Sequence, residues 1–332
     1  MKRIEKYSMR QYSLLLLVLL FPLIVHLISA HEIDSLFFWG SYEKRHGYLL
    51  YLWLMIFAGI ASLLTKKEFE RIIFFSLGSA FLVATFAIIE YFGISLFFPS
   101  IRKVSWELGR TISTLGNPNY VAGYLLLHFP LVQRIRMPEY YIVLIVFLVA
   151  IITTGSMIGL ALWVGYFLYS LLRKGPYGMQ ILLTIVVVGI TGILMFVPHD
   201  KILSLESRWI LMMETMKMTS WNIGWMFFGY GPDSLIVAYS QSRSEKINSY
   251  FPDAMSIDSS HNIFIDIAYS YGFIFLMLLI FFSIRRWRYV EAMARKSLIL
   301  SILFFSLNVI VLAPLLIMIL LIAYTPPPPS SW

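Results

Sequence analysis

The chain has 332 residues, 59% of them hydrophobic and only 13% charged, with a mean hydropathy of +0.77. A soluble domain carries roughly 25% charged residues, so this composition excludes an ordinary soluble enzyme. It predicts a multi-pass membrane protein, because a bilayer core demands about 20 apolar residues per spanning helix. The absence of cysteine excludes a disulfide framework, a thiolate metal site and a cysteine nucleophile. The net charge of +8 does not argue for nucleic acid as a partner. Most basic residues lie in short loops between apolar runs, where topology and membrane lipids account for them.

The first apolar run, roughly Ser13–Ala30, follows a basic start from Lys2-Arg3 to Arg10. It lacks a small-x-small cleavage site and reads as a retained helix. Further spans are expected at about Tyr48–Thr65, Ile72–Phe98, a short Pro118–Gln133, Tyr140–Thr154, Met157–Leu172, Met179–Val197, Ile263–Ser283 and Ser297–Tyr324. The last is long and contains Asn308 and Pro314, which predicts a kinked helix or two half-helices. The expected fold class is all-α, a polytopic transmembrane helical bundle of about nine to ten spans. Three parts follow from this pattern. Residues 1-197 are N-terminal transmembrane helices. Residues 198-262 are an extracytoplasmic loop with a short interfacial helix. Residues 263-332 are C-terminal transmembrane helices with a Pro-rich tail.

Orientation comes from the basic residues. With the N-terminus inside, loops 1–12, 66–71, 134–139, 173–178 and 284–296 face the cytoplasm and hold 16 of the 26 Lys and Arg. The acids lean the other way, with 11 of 18 outside. Both biases favour a cytoplasmic N-terminus. The segment His199–Asn262, the longest that cannot sit in lipid, is then extracytoplasmic, as are 31–47 and 101–117. No ATP or nucleotide sugar is available there. A transfer reaction on that side needs a donor already energised and flipped, such as a lipid-linked pyrophosphate. The lack of a G-x-x-x-x-G-K-[ST] phosphate loop and of a G-x-G-x-x-G fingerprint agrees with this.

The polar chemistry concentrates in a few places. Trp209, Met212, Met213 and Met216 repeat at helical spacing, which predicts a helix lying on the membrane with that face down and Arg208 in its first turn. An Arg there either snorkels to headgroups or grips a phosphate through its two-pronged guanidinium. Asp258-Ser-Ser-His261-Asn262 ends the external segment. Such a His is either an ordinary interfacial residue or a general base, since imidazole titrates near neutrality and a nearby carboxylate would fix its tautomer. Asp266 and Glu90 are acids inside spans, where acids are costly and usually have a role. Asn117-Pro118 is ordinary helix-entry grammar, but Arg102, Lys103 and Arg110 cluster outside against the bias and suit an anion. Gly229-Tyr-Gly231-Pro232-Asp233 reads by default as a turn, and alternatively as a loop packed against the site. Glu32-Ile-Asp34 offers a rival, metal-dependent chemistry, for which no third ligand is evident.

In this order these motifs resemble the O-antigen ligase family, polytopic bacterial enzymes that also include O-antigen polymerases and protein O-oligosaccharyltransferases. The likeness runs from about Phe37 to Phe282. It is carried by Phe38-Trp39-Gly40-Ser41 with Glu43, Arg45 and Gly47, and by Arg110 with Gly116-Asn117-Pro118-Asn119 and Tyr124-Leu125. Arg208, Gly229-x-Gly231 with Asp233, and Asp258-x-x-His261-Asn262 complete it. The resemblance implies a membrane glycosyltransferase fold of the class that takes lipid-linked donors (GT-C-like). The implied reaction moves a glycan from undecaprenyl pyrophosphate to a hydroxyl of a glycan, lipid or protein acceptor, with no metal and no cofactor. It implies His261 as the catalytic base and Arg208 on the donor pyrophosphate. Arg110, Arg45, Asn262, Asp258 and Asp233 make up the rest of the expected substrate-binding set.

Two departures stand out. Family members carry Ser-Arg-Gly at the turn between the fifth and sixth spans, whereas this chain reads Thr154-Gly155-Ser156-Met157-Ile158-Gly159. One anion clamp is thus missing at Met157, and either Arg110 or Arg45 replaces it or the protein is a weak or inactive relative. The chain is also shorter than the family pattern. Two other readings follow. One is a non-catalytic paralogue that binds lipid-linked glycan. The other is a transporter, which would place polar residues in the middles of several spans, where Asn308 alone stands.

Overall fold

The computed structural model describes residues 48–94, 109–135, 139–174, 199–220, 223–231, 234–241, 243–251, 257–308 and 312–324. The described residues form helices and no strand. In chain order the helices are α1 (Tyr48–Ser62), α2 (Lys66–Tyr91), α3 (Pro118–His128), α4 (Glu139–Thr154), α5 (Met157–Lys174), α6 (His199–Ser220), α7 (Ile223–Phe228), α8 (Ser234–Gln241), α9 (Glu245–Tyr250), α10 (Ile263–Trp287), α11 (Ala292–Phe305) and α12 (Leu312–Ala323). Short 3-10 turns at Ser113–Leu115 and Phe129–Arg134 flank α3. Among them α2 and α10 are long and apolar enough to cross a membrane. The expected spans Ser13–Ala30 and Met179–Val197 lie outside the described residues. The helices group into two compact units, Met1–Leu63 with Leu203–Tyr289 and Leu64–Ile202 with Val290–Trp332.

In the unit built on Leu64–Ile202 and Val290–Trp332, α2 begins six residues before its apolar run because of a capping box. The Glu68 N–H donates to Thr65 Oγ1 at 3.3 Å and the Thr65 N–H to Glu68 Oε2 at 2.8 Å. Two orphan donors of the first turn are thereby satisfied, a gain of about 1 kcal/mol. Asn117 caps α3, accepting the Asn119 N–H at 2.9 Å, and Pro118 occupies the first helical position. From Val121 to His128 every residue of α3 is buried. A helix apolar on all sides must be covered on all sides, and α2, α4, α5, α11 and α12 pack around it. Gly123 permits the closest approach, since a Cβ there would stand 2.7 Å from the ring of Phe305. His128 pins α3 to α2: its Nδ1 donates to the Tyr124 carbonyl at 2.8 Å, leaving Nε2 to accept from the Ser76 hydroxyl at 2.5 Å. The expected span Ser297–Tyr324 is divided into α11 and α12, with the buried Asn308 amide donating to the Phe304 carbonyl at 3.0 Å where α11 ends.

In the other unit, α6, α8, α9 and the start of α10 enclose a core of Ile210, Leu211, Met218, Leu235, Tyr239, Ile247, Ile257 and Tyr269. Two expectations are corrected here. The helix begins at His199, so Arg208 stands well inside it rather than in its first turn. Met212 is buried and does not share an outward face with Trp209. The outward stripe is Leu205, Trp209, Met213 and Met216, which are 51%, 63%, 40% and 51% exposed at a spacing of four, four and three. Both faces of α6 are therefore apolar, one for the core and one outward.

A stripe this apolar beside α10 is expected to lie in the bilayer interface. The cysteine-free chain makes that measurable with single cysteines carrying a spin label. In liposomes, labels at 205, 209, 213 and 216 should be broadened by oxygen and spared by a water-soluble nickel chelate, and a label at 212 should be spared by both. Chelate access along the whole stripe would put it in water.

Candidate functional site

The segment from Ile257 to Asp266 is fastened by a network of hydrogen bonds. Ser259 and Ser260 are buried, so their polar groups need partners. The carboxylate of Asp266, one turn into α10, supplies them, accepting the Ser259 hydroxyl at 2.6 Å on one oxygen and the Ser260 N–H at 2.8 Å on the other. Hydrogen bonds to a carboxylate contribute about 1.5–3 kcal/mol each. The Ser259 hydroxyl oxygen then accepts the His261 N–H at 2.9 Å. Asn262 caps α10, its Oδ1 accepting the N–H groups of Phe264 at 2.9 Å and Ile265 at 3.2 Å.

Between these two anchors His261 has φ 60, in the left-handed region. Non-glycine residues held there are uncommon, and they cluster where a side chain must be aimed. His261, Asp258 and Asn262 are all partly exposed. The sequence marks Asp266 only as a costly acid inside a span. In the fold its carboxylate holds the loop that carries the histidine.

Helix α6 reaches the same loop. The Asn262 amide nitrogen lies 4.0 Å from the Met212 sulfur. Arg208 is one turn before Met212 on that helix face, and residues so spaced have Cβ atoms about 6 Å apart. Arg208 is half-buried. Nearby, Glu206 takes the Tyr250 hydroxyl, which pushes that phenol up. Beneath, the fully buried Tyr239 bonds Thr215 at 3.0 Å, and burial pushes its phenol up to about 12.

The Gly229-Tyr-Gly231 motif is a strap rather than a free turn. Helix α10 breaks at Gly272 (φ 82, ψ 165). The carbonyls released on its near side accept N–H groups from the motif, Tyr269 from Tyr230 at 2.8 Å and Ser270 from Gly231 at 2.9 Å. The Tyr230 ring stacks on Tyr269 with centroids 4.7 Å apart, and its hydroxyl reaches the Met218 carbonyl at 2.9 Å. Two glycines make this backbone-on-backbone contact possible. A Cβ at Gly229 would stand 2.5 Å from the Gly272 nitrogen, and one at Gly272 would collide with the Phe227 carbonyl.

The other unit carries Arg110. Its Nε donates to the Thr154 carbonyl at 2.8 Å and an Nη to Asn119 Oδ1 at 3.3 Å. The side chain thus crosses the turn that precedes Met157, which begins α5. Burial draws the guanidinium pKa below its usual value. Glu90, buried at the end of α2, accepts the N–H groups of Ile112 at 2.9 Å and Ser113 at 2.7 Å, and so fixes the loop between Arg110 and Asn117. Sequence reasoning flagged the cost of this acid without finding its partners.

Arg45, Asp233 and the Glu32/Asp34 pair lie outside the described residues. Among the described residues no group of three or more His, Asp or Glu is placed to hold a metal ion. Scans against protein-family models, characterised proteins and solved structures give no match to this chain.

Proposed function

We propose that this protein is a polytopic, GT-C-like glycosyltransferase of the cytoplasmic membrane. It transfers a glycan from undecaprenyl pyrophosphate to an acceptor hydroxyl on the outer face. The observation that carries the reading is the Asp266-anchored loop with its left-handed His261, set against the α6 face that bears Arg208.

The chemistry follows from those groups. The neutral imidazole takes the proton of the acceptor hydroxyl. The hydroxyl oxygen then attacks the anomeric carbon, and the bond from that carbon to the pyrophosphate oxygen breaks. Charge builds on the departing undecaprenyl pyrophosphate, and a fixed guanidinium donor there lowers the barrier by a few kcal/mol, roughly what one oxyanion-type contact supplies. No metal or cofactor enters this scheme. O-antigen ligation, polysaccharide polymerisation and protein O-glycosylation share it and differ only in the acceptor.

Reconstituted protein supplied with a polyprenyl-pyrophosphate glycan and lipid, glycan or protein acceptors is expected to form a glycosylated product detectable by mass spectrometry. Arg208→Ala should reduce kcat/KM about 10²–10³-fold. Equal turnover by the variant would remove Arg208 from the scheme.

Met157 favours a second reading, a non-catalytic protein that binds the lipid-linked glycan. That reading predicts saturable donor binding with no product from any of the three acceptor classes.

A further inference from the structure

After its break at Gly272, helix α10 presents an uncovered apolar row. Phe273, Met277, Phe281 and Ile284 are exposed at a spacing of four, four and three, which keeps them on one face. The opposite face is covered, with Tyr271 and Phe275 buried and Ile267, Leu278 and Leu279 packed against them. At about 1.5 Å per residue, the row from Phe273 to Ile284 is roughly 16 Å long. Half of a hydrocarbon core is roughly 15 Å deep. The row therefore has the length of the acyl chains of one leaflet.

The row ends in positive charge. Arg288 follows Ile284 by four residues and keeps helical angles, φ -64 and ψ -25, so it stands at the end of the same line. Arg285 is one step round the helix, and both arginines are exposed. Neither makes an ion pair among the described residues. The flanking acids are engaged elsewhere, Asp266 with Ser259 and Ser260, and Glu291 with Arg134. No Asp or Glu lies between them in the chain. Tyr289, exposed, and Trp287, half-buried, are the aromatic types that gather at the level of lipid headgroups.

Cations are favoured at the carboxyl end of any helix, and that accounts for the charge as such. It does not account for the alignment of exposed arginine with an apolar row one leaflet long. A phospholipid matches both parts at once, with chains for the row and a phosphate that a guanidinium fork can hold through paired hydrogen bonds. Two arginines with no acid beside them favour a net negative headgroup over a zwitterionic one, by about five-fold per cation.

We propose that the outward face of α10 from Phe273 to Arg288 binds one anionic glycerophospholipid, its acyl chains along the apolar row and its phosphate on Arg285 and Arg288. The proposal rests on α10 crossing a membrane and is independent of the glycan-transfer reading.

The chain has no cysteine, so a single bimane fluorophore can be placed on Ile284→Cys of the full-length protein. Quenching is then measured in vesicles containing phosphatidylglycerol or phosphatidylcholine with a nitroxide on one chain. Nitroxide phosphatidylglycerol is expected to compete for the label at least five-fold better than nitroxide phosphatidylcholine. A label on Ile145→Cys, exposed on α4, should be quenched equally by the two lipids. Arg288→Gln should lower the preference at 284 about five-fold and Arg285→Gln with Arg288→Gln should abolish it, whereas Arg288→Lys should retain most of it. Salt at about 1 M, which screens exposed charges, should act like the double variant.

Equal quenching by the two lipids at 284 overturns the site and leaves the membrane reading of α10 standing. A preference that survives in the double variant also overturns it. Should the double variant not fold, a preference unmoved by both Arg288→Gln and salt does the same. Quenching at 145 without quenching at 284 puts protein, a second copy or another chain, on the face in place of lipid and overturns the proposal. Absence of quenching at both positions removes the membrane reading together with the site.

Discussion

Gly272→Ala is expected to disrupt the α6–α10 unit. The residue sits at φ 82, ψ 165, a region open essentially to glycine alone, where an L side chain costs about 1–3 kcal/mol. The added methyl would also meet main chain, the Phe227 carbonyl and the backbone of Phe228, rather than a side chain that could turn aside. Relief requires α7 to move off α10, which would pull Tyr230 and Gly231 away from the carbonyls they satisfy. Each buried carbonyl left bare costs about 1–3 kcal/mol. Together these terms approach the whole stability of an ordinary domain, about 5–15 kcal/mol. The expected result is loss of the monodisperse peak in fluorescence-detected size exclusion, or a melting point lower by roughly 10 °C or more. Gly78→Ala is the control, because a Cβ there meets nothing within 4 Å. Equal behaviour of the two variants would show that the strap contributes nothing.

On the proposed transfer reaction, His261→Ala should remove most of the activity and leave the fold intact. The side chain is partly exposed, and the anchors of its loop are Asp266, Ser259 and Asn262, all of which remain. A positioned general base contributes about 10²–10⁴-fold. The loss should fall on kcat, with donor KM little changed, because the base acts in the transition state. Steady-state transfer by wild type and variant, with melting points alongside, checks both. An unaltered kcat in the variant would take the histidine out of the reaction.

Some of this was legible in the residues. All-helical character followed from composition, and α4, α5 and the start of α10 fall near the expected spans because each is a clean apolar run between polar punctuation. Asp266 and Glu90 drew notice as acids in apolar company, and both prove to be anchors of loops.

Other features left no distinct mark. Helix α6 defeated the hydrophobic period because Ile210, Leu211 and Met218 face the core while Leu205, Trp209, Met213 and Met216 face outward. Periodicity alone cannot say which apolar stripe is covered. The start of α2 was missed because a capping box, not hydrophobicity, sets it. A glycine inside an apolar run is unremarkable, so nothing at Gly272 announces a break, and its partner motif reads by default as a turn, with a packed loop as the alternative. Arg110 was marked as external and basic, but its neutral partners appear only in three dimensions.

The break in α10 also bears on how the protein meets bilayers of different thickness. A continuous rod answers a thicker or thinner membrane by tilting as a whole, and it would drag the histidine loop with it. Here the segment before Gly272 is tied to its neighbours by Tyr230, Gly231 and Asp266, while the segment after it leaves Phe273, Met277, Phe281 and Ile284 exposed. Were α10 to span a bilayer, a change of tilt would be taken up at Gly272 rather than passed to the loop around His261.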